Sequence, residues 1–172
     1  MPEAIRNAIA DVPNFPKEGI VFKDITPVLA DAKLFARAIE LLSEPWKDKG
    51  VKYVAGIEAR GFIFASAVAR YLDAGFIPIR KPGKLPRDVY KETYELEYGT
   101  DTLELHKDAV SKGDKVVLID DLLATGGTAA ACLKLLGQCE ADVMGVSFLV
   151  DLTFLNGREK LGDVPITAVV SY

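Results

Sequence analysis

The residues best suited to chemistry are two adjacent carboxylates, Asp120 and Asp121, and the small-residue loop Thr125-Gly126-Gly127-Thr128 that follows them. Both lie in VVLIDDLLATGGTA, residues 116–129. The apolar run Val116–Ile119 has the character of a strand buried on both faces. Beyond the loop, Ala129-Ala130-Ala131-Cys132-Leu133 has high helix propensity. Strand, acidic pair, loop and helix together predict an anion site at the carboxyl edge of a parallel sheet. Glycines let backbone approach a ligand closely. The loop N–H groups and the Thr125 and Thr128 hydroxyls can then surround a phosphate. The carboxylates suit other partners: sugar hydroxyls, or Mg2+ held directly or through water. No GxxxxGK[ST] occurs, and the glycine spacing is not GxGxxG, so two common phosphate motifs do not apply. A helix following a strand in any α/β domain would contain Asp, Thr and Gly, but that reading leaves two acids beside a TGGT loop unexplained.

Such a site needs a scaffold, and the chain has the length for one domain with a sizeable core at 172 residues. With 49% hydrophobic and 27% charged residues the composition is that of a globular protein. A net charge of −4 and a pI near 5.1 argue against general nucleic-acid binding. No apolar run has the length of a membrane span, and MPEAIRNAIADVPNF has no apolar signal core, so a cytoplasmic protein is expected. Cys132 and Cys139, seven apart, read as reduced buried thiols on one helix face, without the spacing of a zinc site. His106 is the only histidine, which disfavours histidine-based triads and metal sites.

The hydrophobic pattern predicts a helix over residues 2–10, a Pro- and Gly-rich loop NFPKEGIVF, and a helix capped by Asp31 running to Leu42. Val51–Ile57 reads as a strand. A helix over Gly61–Leu72 should turn Phe62, Ala65, Ala69 and Leu72 inward, and Phe76–Ile79 is a second strand. The alternation continues through Val116–Ile119, a helix over 129–138 and a strand over Val143–Val150, which implies a mostly parallel sheet. In KETYELEYGTDTLELHKD the period is two on either side of Gly99-Thr100, an antiparallel hairpin or flap.

The TGGT string resembles the phosphoribosyl-diphosphate (PRPP) signature of type I phosphoribosyltransferases. GIVFKDITPVL, GIEARGFIFA, IRKPGKLP, YELEYG and LNGREKL, in this order, make the chain similar to the adenine phosphoribosyltransferase family over essentially its whole length. The resemblance implies a single α/β domain over residues 1–172, with a central mostly parallel sheet flanked by helices. An N-terminal hood (1–30) would carry the purine loop, and residues 88–108 would form a flexible flap. The implied reaction is adenine plus PRPP giving AMP and pyrophosphate, with Mg2+, in a homodimer that engages neither nucleic acid nor membrane. A loose transfer at the anomeric carbon needs positioning and electrostatics more than a nucleophile, in keeping with the lack of an activated Ser, Cys or His constellation.

By the same resemblance, Ala124, Thr125, Gly126, Gly127 and Thr128 would hold the 5′-phosphate. Asp120 and Asp121 would hold the ribose hydroxyls and the metal. Glu58 and Ala59, through backbone N–H groups, and Arg60, Arg80, Lys81 and Lys84 would take pyrophosphate. The three cations of Arg80–Lys84 would by themselves read as a solvated run. Phe22 would stack on adenine while backbone groups of Val21 and Lys23 read its amine and ring nitrogens. Glu97, near purine N7, and Tyr98 would close over the substrates, with Glu97, Tyr98 and Arg60 as catalytic residues. Two departures stand out: the family commonly has Ser at position 59 and often Arg at position 23. A PRPP- or purine-sensing regulator on the same fold is the alternative, and such proteins usually carry a DNA-binding segment.

Overall fold

The computed structural model describes residues 2–96 and 98–172. A short helix α1 (Pro2–Ala8) leads into β1 (Ala10–Pro13), which pairs antiparallel with β2 (Val21–Asp24). The expected helix over 2–10 is therefore shorter, because Ala10–Pro13 exchange hydrogen bonds with Val21–Asp24 instead of continuing the helix. Pro13, which has no N–H to give, ends the strand. A five-residue helix α2 (Thr26–Ala30), which the sequence pattern does not reveal, precedes α3 (Ala32–Ser43). Asp31 caps α3 as predicted, accepting from Lys33 N at 2.9 Å and Leu34 N at 3.0 Å. Such a cap contributes about 1 kcal/mol.

The remaining elements alternate. They are β3 (Tyr53–Ile57), α4 (Arg60–Tyr71), β4 (Gly75–Ile79), the hairpin β5 (Val89–Glu95) and β6 (Thr100–His106), β7 (Lys115–Leu123), α5 (Gly127–Gln138), β8 (Asp142–Asp151) and β9 (Ile166–Ser171). Among the described residues, β4-β3-β7-β8-β9 form one sheet in which every pairing is parallel. The connection from β3 runs outward to β4 on one side, while β7 runs to β8 and β9 on the other. The carboxyl ends of β3 and β7 therefore flank the point where strand order reverses, the usual crevice for a ligand in an open α/β sheet.

Alternation along β7 explains its two-sided burial. Val117 and Ile119 face the core under α3 and α4, where Ile39, Leu42, Phe64, Ala65 and Val68 lie. Val116 and Leu118 face the opposite core, with Cys132, Leu135 and Leu136 of α5. The inward stripe of α4 is Phe64, Ala65, Val68 and Ala69. Phe62, expected inside, is half-buried, edge-on to the Phe76 ring at 5.4 Å. Trp46, the only tryptophan, is buried and donates from Nε1 to Ser147 Oγ at 2.7 Å. Gly145 makes room for it: a Cβ there would fall 2.1 Å from the indole. Both cysteines are buried free thiols.

The hairpin forms in the predicted place, with Glu95 opposite Thr100 and Val89 opposite His106. Its second strand is rooted in the core through fully buried Leu103 and Leu105. Reciprocal backbone hydrogen bonds of 3.0 and 2.7 Å join Arg80 to Glu104, tying the hairpin to the end of β4.

Candidate active site

The acidic pair does not follow β7 but belongs to it: Asp120 pairs in register with Phe148 and Leu122 with Val150 before the strand ends at Leu123. The carboxylates are therefore fixed by sheet hydrogen bonds and are both buried. Asp120 Oδ1 accepts from the Asp121 N–H at 2.9 Å. Burial first, and then the charge of Asp121, push the Asp120 carboxyl well above the ordinary aspartate range. Gly61, in the first turn of α4, lies against it. A Cβ on Gly61 would come within 2.6 Å of Asp120 Oδ1, so this position admits only glycine without a shift of the acid.

Arg60 Nε approaches Asp121 Oδ2 to 2.9 Å. The approach is off the hydrogen-bonding direction, which leaves that buried oxygen with charge contact but no hydrogen bond. The same guanidinium stacks over the Phe22 ring, 5.2 Å from its centroid. Phe15 packs edge-on against Phe22 at 5.1 Å.

Ala124, Thr125 and Gly126 turn the chain from β7 into α5, which begins at Gly127, two residues earlier than the Ala-rich stretch suggests. Gly126, at φ +84°, is the N-cap. The unsatisfied N–H groups of the first turn and the helix dipole make this an anion-binding end. A cleft of about 220 Å³ opens here, lined by the loop, the acidic pair and Arg60. The loop rests on a turn at Asn156–Gly157. A Cβ on Gly126 would lie 2.2 Å from Gly157 O, and one on Gly157 would lie 2.3 Å from Ala124 O. The turn is held in turn by Arg158 Nε, 2.7 Å from Asp151 Oδ2 at the end of β8.

At the end of β3 the Glu58–Ala59 peptide is cis. The Glu58 N–H donates to Ile79 O at 3.1 Å, so Glu58 does not offer its own amide to a ligand; the N–H expected to meet pyrophosphate is already committed to the sheet. What Glu58 offers is its carboxylate, which accepts from Lys81 N at 2.8 Å, Arg80 Nε at 3.2 Å and Lys84 Nζ at 3.0 Å. Burial raises its pKa, but the Lys81 amide, the Lys84 ammonium and the Arg80 charge outweigh that and leave it below the ordinary glutamate value. Lys81 Nζ pairs with Asp101 on the hairpin. All three cations of the basic loop are thus paired with acids.

In the hood, Lys23 turns its ammonium away from Phe22, towards Asp11 at 2.5 Å and the Tyr172 ring at 3.7 Å. Val21 is exposed. Tyr98 is largely exposed, with Lys17 Nζ 4.8 Å from its ring centroid. Glu97 lies outside the described residues. Arg60, Asp120, Asp121, the 124–128 loop and Phe22 therefore converge, Arg80, Lys81 and Lys84 gather on Glu58 and Asp101, and Tyr98 lies exposed beside Lys17 of the hood.

Sequence reasoning missed Tyr94 and the Asn156–Gly157 turn. Tyr94 Oη accepts from Thr128 Oγ1 at 3.2 Å and its ring lies 3.4 Å from where a Gly127 Cβ would be. Its alternation marked it as a hairpin residue only. LNGREKL was distinctive as a segment, but nothing local to it indicates that its glycine abuts another glycine some thirty residues away.

Residues 25–163 match the family described as the phosphoribosyl transferase domain. That span holds the acidic pair, the TGGT loop, the basic loop and the hairpin, and it defines a phosphoribosyltransferase; most of the hood lies before it. The whole chain, hood included, is 51% identical to the adenine phosphoribosyltransferase of Anaeromyxobacter dehalogenans over 172 residues, covering 100% of both. The crystal structure of adenine phosphoribosyltransferase from Thermoanaerobacter pseudethanolicus superposes with a TM-score of 0.96 at 49% identity, covering 100% of each chain. The Saccharomyces cerevisiae enzyme, complexed with an imino-altritol bisphosphate and adenine, superposes at 0.94 with 40% identity over 98% of each chain. The chain belongs to the adenine phosphoribosyltransferase family, pentosyltransferases on the type I fold.

Proposed function

We propose that the residues gathered at the carboxyl edge of the sheet transfer the 5-phosphoribosyl group of PRPP to adenine, giving AMP and pyrophosphate, as a step of purine salvage. The observation that carries this reading is the position of Arg60, in contact with both Phe22 of the hood and Asp121 of the acidic pair. A base stacked on Phe22 and a sugar bound by the acids would meet at that guanidinium. The 5′-phosphate takes the N–H groups of the 124–128 loop, an arrangement supported by the helix start at Gly127. Asp120 and Asp121 hold the ribose hydroxyls and stabilise positive charge that grows on the sugar as pyrophosphate departs.

Arg60, Arg80, Lys81 and Lys84, with the Ala59 peptide, receive the leaving pyrophosphate. Because the Lys23 ammonium is engaged elsewhere, recognition of adenine falls to backbone groups of Val21 and Lys23. That explains how lysine can stand where relatives often have arginine. Glu97 shares a proton with purine N7, and Tyr98 seals the site from its place on the flap (88–108), opposite the hood (1–30).

Mg2+ fits the donor set. Among the described residues no cluster of three or more His, Cys, Asp or Glu is poised for a metal. Mg2+ does not require one, since it takes one or two carboxylates and completes its shell with phosphate oxygens and water. Asp120 and Asp121, one with an oxygen lacking a hydrogen bond, would hold it. When bound, it neutralises charge on the pyrophosphate.

A cytoplasmic homodimer is the expected form. None of the described helices is long and apolar enough to cross a membrane. Exposed Ile63 and Tyr71 of α4 and Phe76 of edge strand β4 offer an apolar face for a second copy. The test is direct: purified protein, PRPP and Mg2+ are mixed with adenine, hypoxanthine, guanine or orotate in turn. AMP and pyrophosphate from adenine alone are expected. Product from another base would overturn the base assignment, and PRPP binding with no product would favour a PRPP-sensing regulator.

A further inference from the structure

Tyr94 and Asp101 stand directly opposite one another on β5 and β6. Each reaches a different part of the site. On one side, Tyr94 Oη accepts from Thr128 Oγ1 of the phosphate loop at 3.2 Å, and its ring covers Gly127. On the other, Asp101 Oδ2 binds the Lys81 ammonium of the basic loop. Between them, Tyr94 Oη donates to Asp101 Oδ2 at 3.4 Å. A hydroxyl can accept one bond and donate another, so Thr128, Tyr94, Asp101 and Lys81 form one polarised chain. Asp101 Oδ1 is itself held by the Thr102 N–H at 2.8 Å, which fixes the carboxylate in the middle of the chain.

From this geometry we propose that Tyr94 and Asp101 are positioning residues that couple the 5′-phosphate loop to the pyrophosphate-side basic loop. The inference rests on the reading of the site given above and adds to it. PRPP carries a phosphate at each end and engages both loops at once. A ligand that orders Thr128 draws Tyr94 into place, which orients Asp101 and through it Lys81. AMP, with a single phosphate, engages only the first loop. The coupling therefore favours PRPP over AMP, and it works through the hairpin without touching either ligand.

The test is calorimetric titration of PRPP and of AMP, with Mg2+, into wild-type protein, Tyr94→Phe, Asp101→Ala and the double variant. Tyr94→Phe keeps the ring on Gly127 and removes only the hydroxyl. It is expected to weaken PRPP about two- to tenfold, the factor one hydrogen bond carries, and to weaken AMP measurably less. In the Asp101→Ala background that preferential loss should vanish; release of Lys81 occurs in both arms and cancels in the cycle. Equal losses for PRPP and AMP would mean that Tyr94 merely props the phosphate loop, and would overturn the proposal. So would an effect of Tyr94→Phe that is unchanged by Asp101→Ala. Wild-type protein that binds PRPP but forms no AMP from adenine would overturn the reaction and leave the coupling to be decided by the same titrations. Wild-type protein that fails to bind PRPP would overturn both.

Discussion

Replacing Gly126 with alanine should damage the phosphate loop in two separable ways. Its φ of +84° lies in the left-handed region, which costs an L-residue about 1–2 kcal/mol. In addition, the new Cβ would lie 2.2 Å from Gly157 O and 3.2 Å from Gly157 Cα, both backbone atoms of a turn that has to move. Such overpacking costs about 1–3 kcal/mol. Gly113 supplies the control, because its φ is +79° yet nothing lies within 4 Å of a Cβ built there. Gly113→Ala therefore carries the backbone cost alone, and the unfolded-state entropy lost by each glycine cancels between the two variants. The difference between them isolates the clash. At about 2–4 °C per kcal/mol for a chain of this size, Gly126→Ala should melt roughly 2–12 °C below Gly113→Ala. Fluorescence of the lone buried Trp46 follows the unfolding. The KM for PRPP should rise for Gly126→Ala and stay at the wild-type value for Gly113→Ala. If the two variants melt together and share an unaltered KM for PRPP, the contact between the two glycines is not what shapes the loop.

Three further expectations follow from the geometry. The Glu58 pKa is depressed in the folded protein, so its ion pairs contribute fully above pH 4.5 and are lost as pH falls below it through the folded value; acid titration of stability should therefore be shallower below pH 4.5 in Glu58→Gln than in the wild type. Burial raises both thiols, Cys132 well above the ordinary range and Cys139 less so. Neither should react with an aromatic disulfide reagent at pH 8 in the native protein, whereas two equivalents should react in guanidinium. Phe22→Ala should raise the KM for adenine about fivefold or more, the size of a lost base–aromatic stack, with the KM for PRPP little changed; equal changes in both constants would remove Phe22 from base recognition.

What local patterning could reveal, it did. The apolar run at the heart of β7, the Asp31 cap and the alternation around Gly99-Thr100 each depend on neighbours in sequence, and each is present as expected. Features set by distant partners were harder to read. Residues 10–13 belong to a strand only because residues 21–24 lie beside them. β9 joins the sheet by pairing with β8 across the turns of residues 152–165, a partnership no local period signals. In the site, the residue types in the TGGT loop and acidic pair indicated an anion and its counter-group. The commitments of side chains could not be inferred: Lys23 to Asp11, Lys84 to Glu58, and the Glu58 N–H to Ile79. Tyr94 was hidden for the same reason, since its value lies in a hydroxyl shared by two loops that meet only in the folded chain.

The pairing of Arg80 and Lys84 with Glu58 makes anion capture at this loop an exchange reaction, while Lys81 stays aimed by Asp101. An incoming anion does not meet bare cations there; it must displace the Glu58 carboxylate, which is already tethered at high local concentration. A singly charged anion, or a phosphodiester whose charges are spread along a chain, gains little by that trade. Pyrophosphate concentrates several charges in one small group and can hold several cations at once, so it is the kind of competitor that prevails. The loop is thereby selective for charge density, and a chain with net charge −4 can keep three clustered cations without attracting every polyanion in solution.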